Sequence, residues 1–328
     1  MAGLTEPPAM DLQDALLQQL PHTLSRTAYP SLGTHYEGKV RDTYARGDTL
    51  VLVVTDRLSA FDRVITTLPF KGEVLNRLSA FWFARTAHVV KNHFLDMPDP
   101  NVTVARRCMP IPIEVVVRGH LTGSLWRDVQ GGRENPYGVA IDPDLPRFAA
   151  FHSPIVTPAT KEAVGKHDEP ISEAALLARG LVEPKVWAQI REVALALFAE
   201  GQSWATSRGL VLVDTKYEFG LVGDTLYLID EIHTPDSSRY WVRQDLEARL
   251  AAGEEPQMLD KENLRRWLIN ERGFMGNGEL PTIPDDFRVE LAGKYLAAYE
   301  AITGVILPLE IGPVAERLTK NLQVAGLL

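Results

Sequence analysis

Residues 209–241 read GLVLVDTKYEFGLVGDTLYLIDEIHTPDSSRYW, and the fold turns on how this stretch pairs with itself. Two apolar-rich runs flank Gly223-Asp224, the pattern of a β-hairpin. Successive side chains of a strand point to opposite faces. Val213, Thr215, Tyr217 and Phe219 are therefore expected on one face, and Asp214, Lys216 and Glu218 on the other. The second run ends in Asp230 and Glu231 and breaks at Thr234-Pro235. A hairpin with one solvated, charged face is the ordinary explanation of such a row; against it, carboxylates are depleted in strands, and here they sit in the most apolar hairpin of the chain. Carboxylates with a lysine among them suit Mg²⁺ and polyphosphate, because Mg²⁺ takes hard oxygen ligands and shares them with phosphates.

Register decides whether two of these carboxylates can hold one ion. A two-residue loop at Gly223-Asp224 places Glu218 opposite Ile229 and turns Asp230 to the other face. A three-residue loop, or one bulge, places Glu218 opposite Asp230, with Cβ atoms about 4.5–5.5 Å apart. The second register is the one expected here.

The chain around this hairpin is an ordinary globular sequence. Its 328 residues, 45% apolar and 23% charged, are enough for one large domain or a few packed units. A net charge of −9 argues against a nucleic-acid partner, which would need a basic face. The single cysteine, Cys108, excludes an intramolecular disulfide and a cysteine metal cluster and suits a reducing cytoplasm. No basic segment followed by an apolar stretch opens the chain, and no apolar run approaches the roughly 20 residues that cross a bilayer. The expectation is a soluble cytoplasmic protein with neither membrane nor nucleic acid as partner.

Four parts are expected. Residues 1–30 form a tail with a short helix over 11–20; residues 31–112 are β-rich; residues 113–304 mix helices and strands; residues 305–328 form an appendage without chemistry. In the β-rich part, HYEGKVRDTY leads through Arg46-Gly47-Asp48 into TLVLVVTD, a second hairpin signature. Gly38 lies in its first strand, where a glycine permits close backbone approach, and Lys39 and Arg41 follow on one face. Such a strand can lie over a triphosphate, although a charged edge strand would look the same. Residues 113–117 are expected as a buried strand that ends in Arg118 and a Gly119–Gly123-Ser124 turn opening a helix, a natural place for a phosphate or carboxylate. Residues 131–160 read as a long proline-rich loop, and the polar stretch to residue 169 suggests a lid. Helices are expected over 74–86, 171–179, 184–208, 245–252, 261–272 and 285–303, the last closed by Gly304.

Taken together, six motifs carry a resemblance. YEGKVRDTY, VTDRLSAFD, EVVVRGHLTGSLW, TPATK with KHDE, LVDTKYEFG and IDEIHTPDSSRYW stand in the order and spacing of the phosphoribosylaminoimidazole-succinocarboxamide synthase (SAICAR synthetase) family, in its longer form. The resemblance spans about residues 20–304. It implies an α+β fold, with an N-terminal antiparallel sheet lobe packed on a larger α+β lobe, similar to kinases and ATP-grasp enzymes, and ATP between the lobes. It implies a ligase of de novo purine synthesis that joins L-aspartate to the carboxylate of a carboxylated aminoimidazole ribonucleotide (CAIR) through an acyl phosphate. It implies ATP and Mg²⁺ as cofactors, and small molecules as partners of a monomer or small homo-oligomer.

Carried over motif by motif, the resemblance puts Gly38, Lys39 and Arg41 at the ATP phosphates and makes Glu218 and Asp230 the Mg²⁺ ligands. Lys216, Asp214 and Arg239 stand nearest the chemistry. Arg118, Ser124, Asp236, Ser238 and Arg239 receive the ribonucleotide, and Lys161, His167 and Asp168 match the region around its imidazole. Two other readings use the same residues: a different ATP-dependent acyl ligase or small-molecule kinase acting on a phosphorylated substrate, and a nucleotide-binding regulator without catalysis.

Overall fold

The computed structural model describes residues 11–131, 135–161, 168–259 and 262–328. Two antiparallel sheets carry the chain. The first is built from β1 (Thr34–Glu37), β2 (Arg41–Arg46), β3 (Thr49–Val54), β6 (Phe94–Asp99) and β7 (Val102–Arg106), in the order β1-β2-β3-β7-β6. The small hairpin β4 (Arg57–Ala60) and β5 (Arg63–Thr67) follows β3. The second sheet has the order β11-β10-β8-β9, from β8 (Met109–His120), β9 (Ala150–Thr160), β10 (Leu210–Val222) and β11 (Thr225–Ile229), and β12 (Ser238–Val242) also pairs with β10.

Helices cover these sheets. They are α1 (Leu12–Gln19), α2 (Lys71–Arg85), α3 (Gly123–Gln130), α4 (Glu173–Ala178), α5 (Pro184–Ser207), α6 (Leu246–Ala251), α7 (Glu262–Arg272), α8 (Asp285–Thr303) and α9 (Val314–Val324). The main core joins Leu75, Leu78 and Trp82 of α2, Leu197 and Phe198 of α5, and Tyr217 and Phe219 of β10. No helix among the described residues is long and apolar enough to cross a membrane.

Four expectations are corrected here. The Gly223-Asp224 loop has two residues: Val222 pairs with Thr225 and Glu218 with Ile229, so the cross-strand pairing of Glu218 with Asp230 does not form. Gly223 takes φ 56°, which glycine adopts at no steric cost, and the tight turn then dictates the even register. Next, Gly38 is not inside a strand. The ladder from Thr34↔Ala45 to Glu37↔Asp42 folds the expected single strand into a β1–β2 hairpin, with Gly38, Lys39 and Val40 as its turn. Third, the last third of the long loop is β9, paired with β8 from Ile113↔Thr160 to Arg118↔Ile155 despite Pro154 and Pro158. It lies at the end of the sheet order, and prolines are tolerated on an edge strand. Fourth, α9 is no appendage: Val314, Leu318 and Leu322 fill the apolar face of the first sheet with Tyr44, Val51 and Val102.

The alternation along β10 holds from Asp214 onward and fails at Val213. A bulge between Leu212 and Asp214 sends Val213 against Phe148 and Trp241, away from Tyr217 and Phe219. Such an insertion bends a strand and re-aims its side chains.

Candidate active site

On one edge, β10 changes partner midway. Leu210 to Thr215 pair with β12 and Glu218 to Val222 with β11, and in between Lys216 donates its backbone N–H to the carbonyl of Ser237 at 3.0 Å. The connection 230–237 must therefore leave the sheet and return beside Lys216. It turns at Asp230 (φ 68°) and His233 (φ 55°), left-handed conformations that Asp and His tolerate better than most residues. That turn brings the Asp230 carboxylate to Lys216, where the ladder alone would have sent it to the opposite face.

Lys216 is the centre of the cluster. Its ammonium donates to Glu218 Oε1 at 2.6 Å, Glu114 Oε1 at 3.1 Å and Asp230 Oδ2 at 3.3 Å. Glu114, on β8, is the direct cross-strand partner of Glu218. The carboxylate pair sought across the hairpin thus exists on the other edge of β10. Arg41, on β2 of the first sheet, reaches over to pair with Asp230 and, at 3.2 Å, with Glu231. Lys161 at the end of β9 pairs with the second oxygen of Glu218.

Burial disfavours the charged form of each group, and the alternating signs overcome it. The Lys216 ammonium is held protonated well above lysine's ordinary value, because Glu218, Asp230 and Glu114 outweigh its burial. The Asp230 carboxyl is driven down despite burial, by Arg41, Lys216 and Lys161 in turn. Glu114 moves upward because burial dominates there, with Lys216 offsetting part of the effect.

Arg41, Lys161, Lys216, Glu218, Asp230 and Glu231 line a cleft of about 520 Å³ between the two large sheets, with Glu114 behind them. Beyond the charges its wall is apolar, made by Val40, Leu50, Leu52, Cys108, Pro110 and Ile229. A slot with an apolar end and a cationic end fits a base and a polyphosphate. The β1–β2 turn borders the cationic end, and the buried Arg57 guanidinium holds it there. Arg57 donates to the carbonyls of Gly38 at 2.9 Å and Lys39 at 3.1 Å, and its charge is balanced by Asp42 at 2.7 Å. Lys39 also lines the cleft, at its exposed rim, where it pairs with Asp62.

One pleat period along β10 lies a second group of charges. Asp214 pairs with Arg239 and lies 3.9 Å from Arg118. Arg118 is also fixed by Thr157 at 2.8 Å and Ser124 at 3.5 Å. Gly123 sits beneath Arg239: a Cβ there would lie 2.7–2.8 Å from the guanidinium. The structure therefore brings together Lys216, Glu218, Asp230, Arg41, Gly38 and Lys161, and next to them Asp214, Arg118, Ser124 and Arg239. Asp168 is close enough for its charge to act on Glu114. His167 lies outside the described residues.

Asp236 and Ser238 are engaged elsewhere. Ser238 bonds Thr215 at 2.8 Å, on the face of β10 away from Lys216. Asp236 accepts from the fully buried Lys71 at 2.8 Å and from Tyr295 of α8 at 2.5 Å, which ties its turn to α2 and α8. Glu114, Arg57 and Lys71 were not singled out from sequence. A glutamate amid IPIEVVV carried a signal, since a charge inside a buried strand needs a partner. Arg57 stands in the VTDRLSAFD motif, but nothing local shows that it serves the β1–β2 turn; Lys71 carried no signal, because Asp236 is 165 residues away.

Among the described residues, no three carboxylate, histidine or cysteine groups converge as a ready-made metal cage. Mg²⁺ needs none, since it is commonly held by one or two carboxylates together with phosphate oxygens and water. Glu218 and Asp230, joined through Lys216, match that requirement.

The chain is similar to known proteins over most of its length. Residues 34–278 match the family model for SAICAR synthetase. A phosphoribosylaminoimidazole-succinocarboxamide synthase of Legionella pneumophila is 43% identical over 311 residues, 93% of this chain and 99% of that one. Among solved structures, a SAICAR synthase from Saccharomyces cerevisiae complexed with SAICAR superposes with a TM-score of 0.71 at 31% identity, covering 87% of this chain and 99% of that one. A SAICAR synthetase in complex with ADP gives 0.65 at 25% identity, covering 84% of this chain and 100% of that one.

Proposed function

Since the chain belongs to the SAICAR synthetase family, we infer that it is the ligase of purine biosynthesis that joins L-aspartate to CAIR at the expense of ATP. The observation that carries the reading is the pairing of two charge clusters on one face of β10. Arg41, Lys216, Glu218 and Asp230 suit a nucleotide polyphosphate, and one pleat period away Arg118, Asp214 and Arg239 suit a phosphorylated ribonucleotide. A SAICAR synthetase in complex with ADP and a SAICAR synthase complexed with SAICAR, both similar to this chain, support a site that takes a nucleotide and the SAICAR product.

The chemistry follows from the weakness of a carboxylate as an acyl donor. A CAIR carboxylate oxygen attacks the γ-phosphorus of ATP, the bond to the bridging oxygen breaks, and ADP leaves. The aspartate amine then attacks the acyl carbon and inorganic phosphate departs, the amine proton passing to solvent. Both steps depend on positioning and charge neutralisation. Lys216 and Arg41, permanently charged, neutralise the phosphates. Glu218 and Asp230 would hold Mg²⁺, which would supply further positive charge to the phosphates during transfer. Arg118 and Arg239, steadied by Asp214, hold the ribonucleotide. The two large sheets act as lobes that close on the nucleotide in the manner of kinases and ATP-grasp enzymes, in a cytoplasmic setting.

The test is ADP release from Mg-ATP, CAIR and L-aspartate, with each substrate omitted in turn. Release that requires all three, with the amide product identified by mass spectrometry, is the expected result. Release that continues at full rate without aspartate would instead make the protein a kinase, and ATP binding without release would make it a regulator.

A further inference from the structure

The two carboxylates that would take Mg²⁺ are not brought together by strand pairing. The β10–β11 ladder ends at Glu218↔Ile229, and Asp230 lies beyond it, on the connection to β12. Its carboxylate comes back toward β10 through the left-handed turns at Asp230 and His233, so the connection has to be fixed against the strand by other means. His233 does this from the core side. Its ring is fully buried, and its Nε2 lies 2.6 Å from the hydroxyl of Tyr217, which is fully buried as well. Tyr217 stands between Lys216 and Glu218 in β10 and, by alternation, faces the core. One hydrogen bond thus ties the strand that carries Glu218 to the turn that carries Asp230.

Other elements build a socket for this ring. Trp82 of α2 meets it edge to face, with ring centres 4.5 Å apart. Gly201 of α5 makes the room: a Cβ there would lie 2.6 Å from His233 Cε1 and 3.0 Å from Nδ1. Tyr240 of β12 donates to the His233 carbonyl at 2.9 Å, and Thr234 donates to Glu231 Oε2 at 2.5 Å. A leucine would fill the same space without burying polar atoms. It would make no bond to Tyr217, however, and it enters the left-handed region less readily than histidine. Histidine meets both demands.

We propose that His233, through its bond to Tyr217, is a positioning residue for the metal-binding pair and sets the distance between the Asp230 and Glu218 carboxylates. Fully buried, it touches no substrate itself. The assignment rests on the functional reading given above.

Calorimetric titration of the full chain with ADP, over a series of Mg²⁺ concentrations, tests this apart from turnover. Tyr217→Phe removes one oxygen and keeps the ring in the core. His233→Asn keeps a residue that accepts the left-handed turn and removes the imidazole. Each is expected to raise the Mg²⁺ concentration needed for half of the gain in ADP affinity about 5- to 10-fold, the effect of one buried hydrogen bond. ADP affinity without Mg²⁺ and the KM for the ribonucleotide should stay as in the wild type. The double variant should shift no further than His233→Asn alone, because both changes remove the same bond. A role confined to packing would lower the thermal midpoint and leave the Mg²⁺ requirement unchanged. In a protein whose wild type makes the amide, that result, or two shifts that simply add, would overturn this assignment alone. A wild-type protein that makes no amide would overturn the reading beneath it.

Discussion

Asp230 has a backbone conformation that few residues tolerate and a carboxylate that serves Arg41 and Lys216 together. Its replacement by Asn keeps the shape and removes the charge. Asp230→Asn is expected to lower kcat roughly 100-fold or more while the KM for CAIR changes little, because neutralisation matters most as the phosphoryl group moves; saturating ATP should not restore the rate. Two buried histidines set a separate property, acid stability. Burial holds His233 at about 3 and His93 at about 4, far below the ordinary 6.5. As pH falls below about 6.5 the unfolded chain takes up protons there and the folded chain does not, so stability falls. Asp56 acts in the opposite sense: burial raises it to about 6, and its protonation favours the fold. At roughly 1.4 kcal/mol per pH unit of separation, the histidines prevail by a few kcal/mol. The urea midpoint should drop between pH 7 and pH 4.5, and His233→Gln should flatten the decline; a midpoint that climbs with acid would refute this. Residues such as Lys216 and Glu218 were legible in the sequence because a charged row inside an apolar strand is a local pattern. Glu114 was harder to find, since its value lies in standing opposite Glu218, and that pairing joins segments about a hundred residues apart.

Among elements, the β1–β2 hairpin depends on a residue outside it. Arg57 satisfies the turn carbonyls of Gly38 and Lys39 and that of Ser25. Lysine cannot reproduce that fork of donors. Arg57→Lys is expected to raise the KM for ATP about tenfold with the ribonucleotide KM unchanged, which isothermal titration with a non-hydrolysable ATP analogue would check. Arg57→Ala should also cost about 3–5 kcal/mol of stability, because it leaves Asp42 buried and without its cation. The hairpins around Gly47 and Gly223 were readable because turn chemistry is short-range. Register was not: the expected odd pairing at Gly223 would have needed an extra loop residue, and a left-handed Asp230 achieved the convergence instead. The strand β9 was hidden by Pro154 and Pro158, whose penalty vanishes at a sheet edge, and edge position is a property of the whole sheet.

For the molecule as a whole, the surprise was the role of residues 305–328. Helix α9 completes the apolar layer of the first sheet with Val314, Leu318 and Leu322. It is pinned by Arg317 to Asp99 at 3.3 Å and to Glu73 of α2 at 3.2 Å. Burying three such side chains contributes roughly 5–8 kcal/mol, comparable to the stability of an entire domain. A chain ending at Gly304 is therefore expected to lose ATP binding and the cooperative thermal unfolding of the intact protein, as calorimetry and nucleotide titration would show. Sequence could not reveal this, because an amphipathic helix announces that it packs but not against what.

That placement reaches into biosynthesis. The strands that receive α9 leave the ribosome first and wait, with an apolar face uncovered, for a helix that lies far downstream of them in the chain. Until then the growing polypeptide is a client for chaperones and a target for proteases. Because the nucleotide cleft leans on the same sheet, a prematurely terminated product should hydrolyse no ATP, and the cell is spared a futile enzyme fragment.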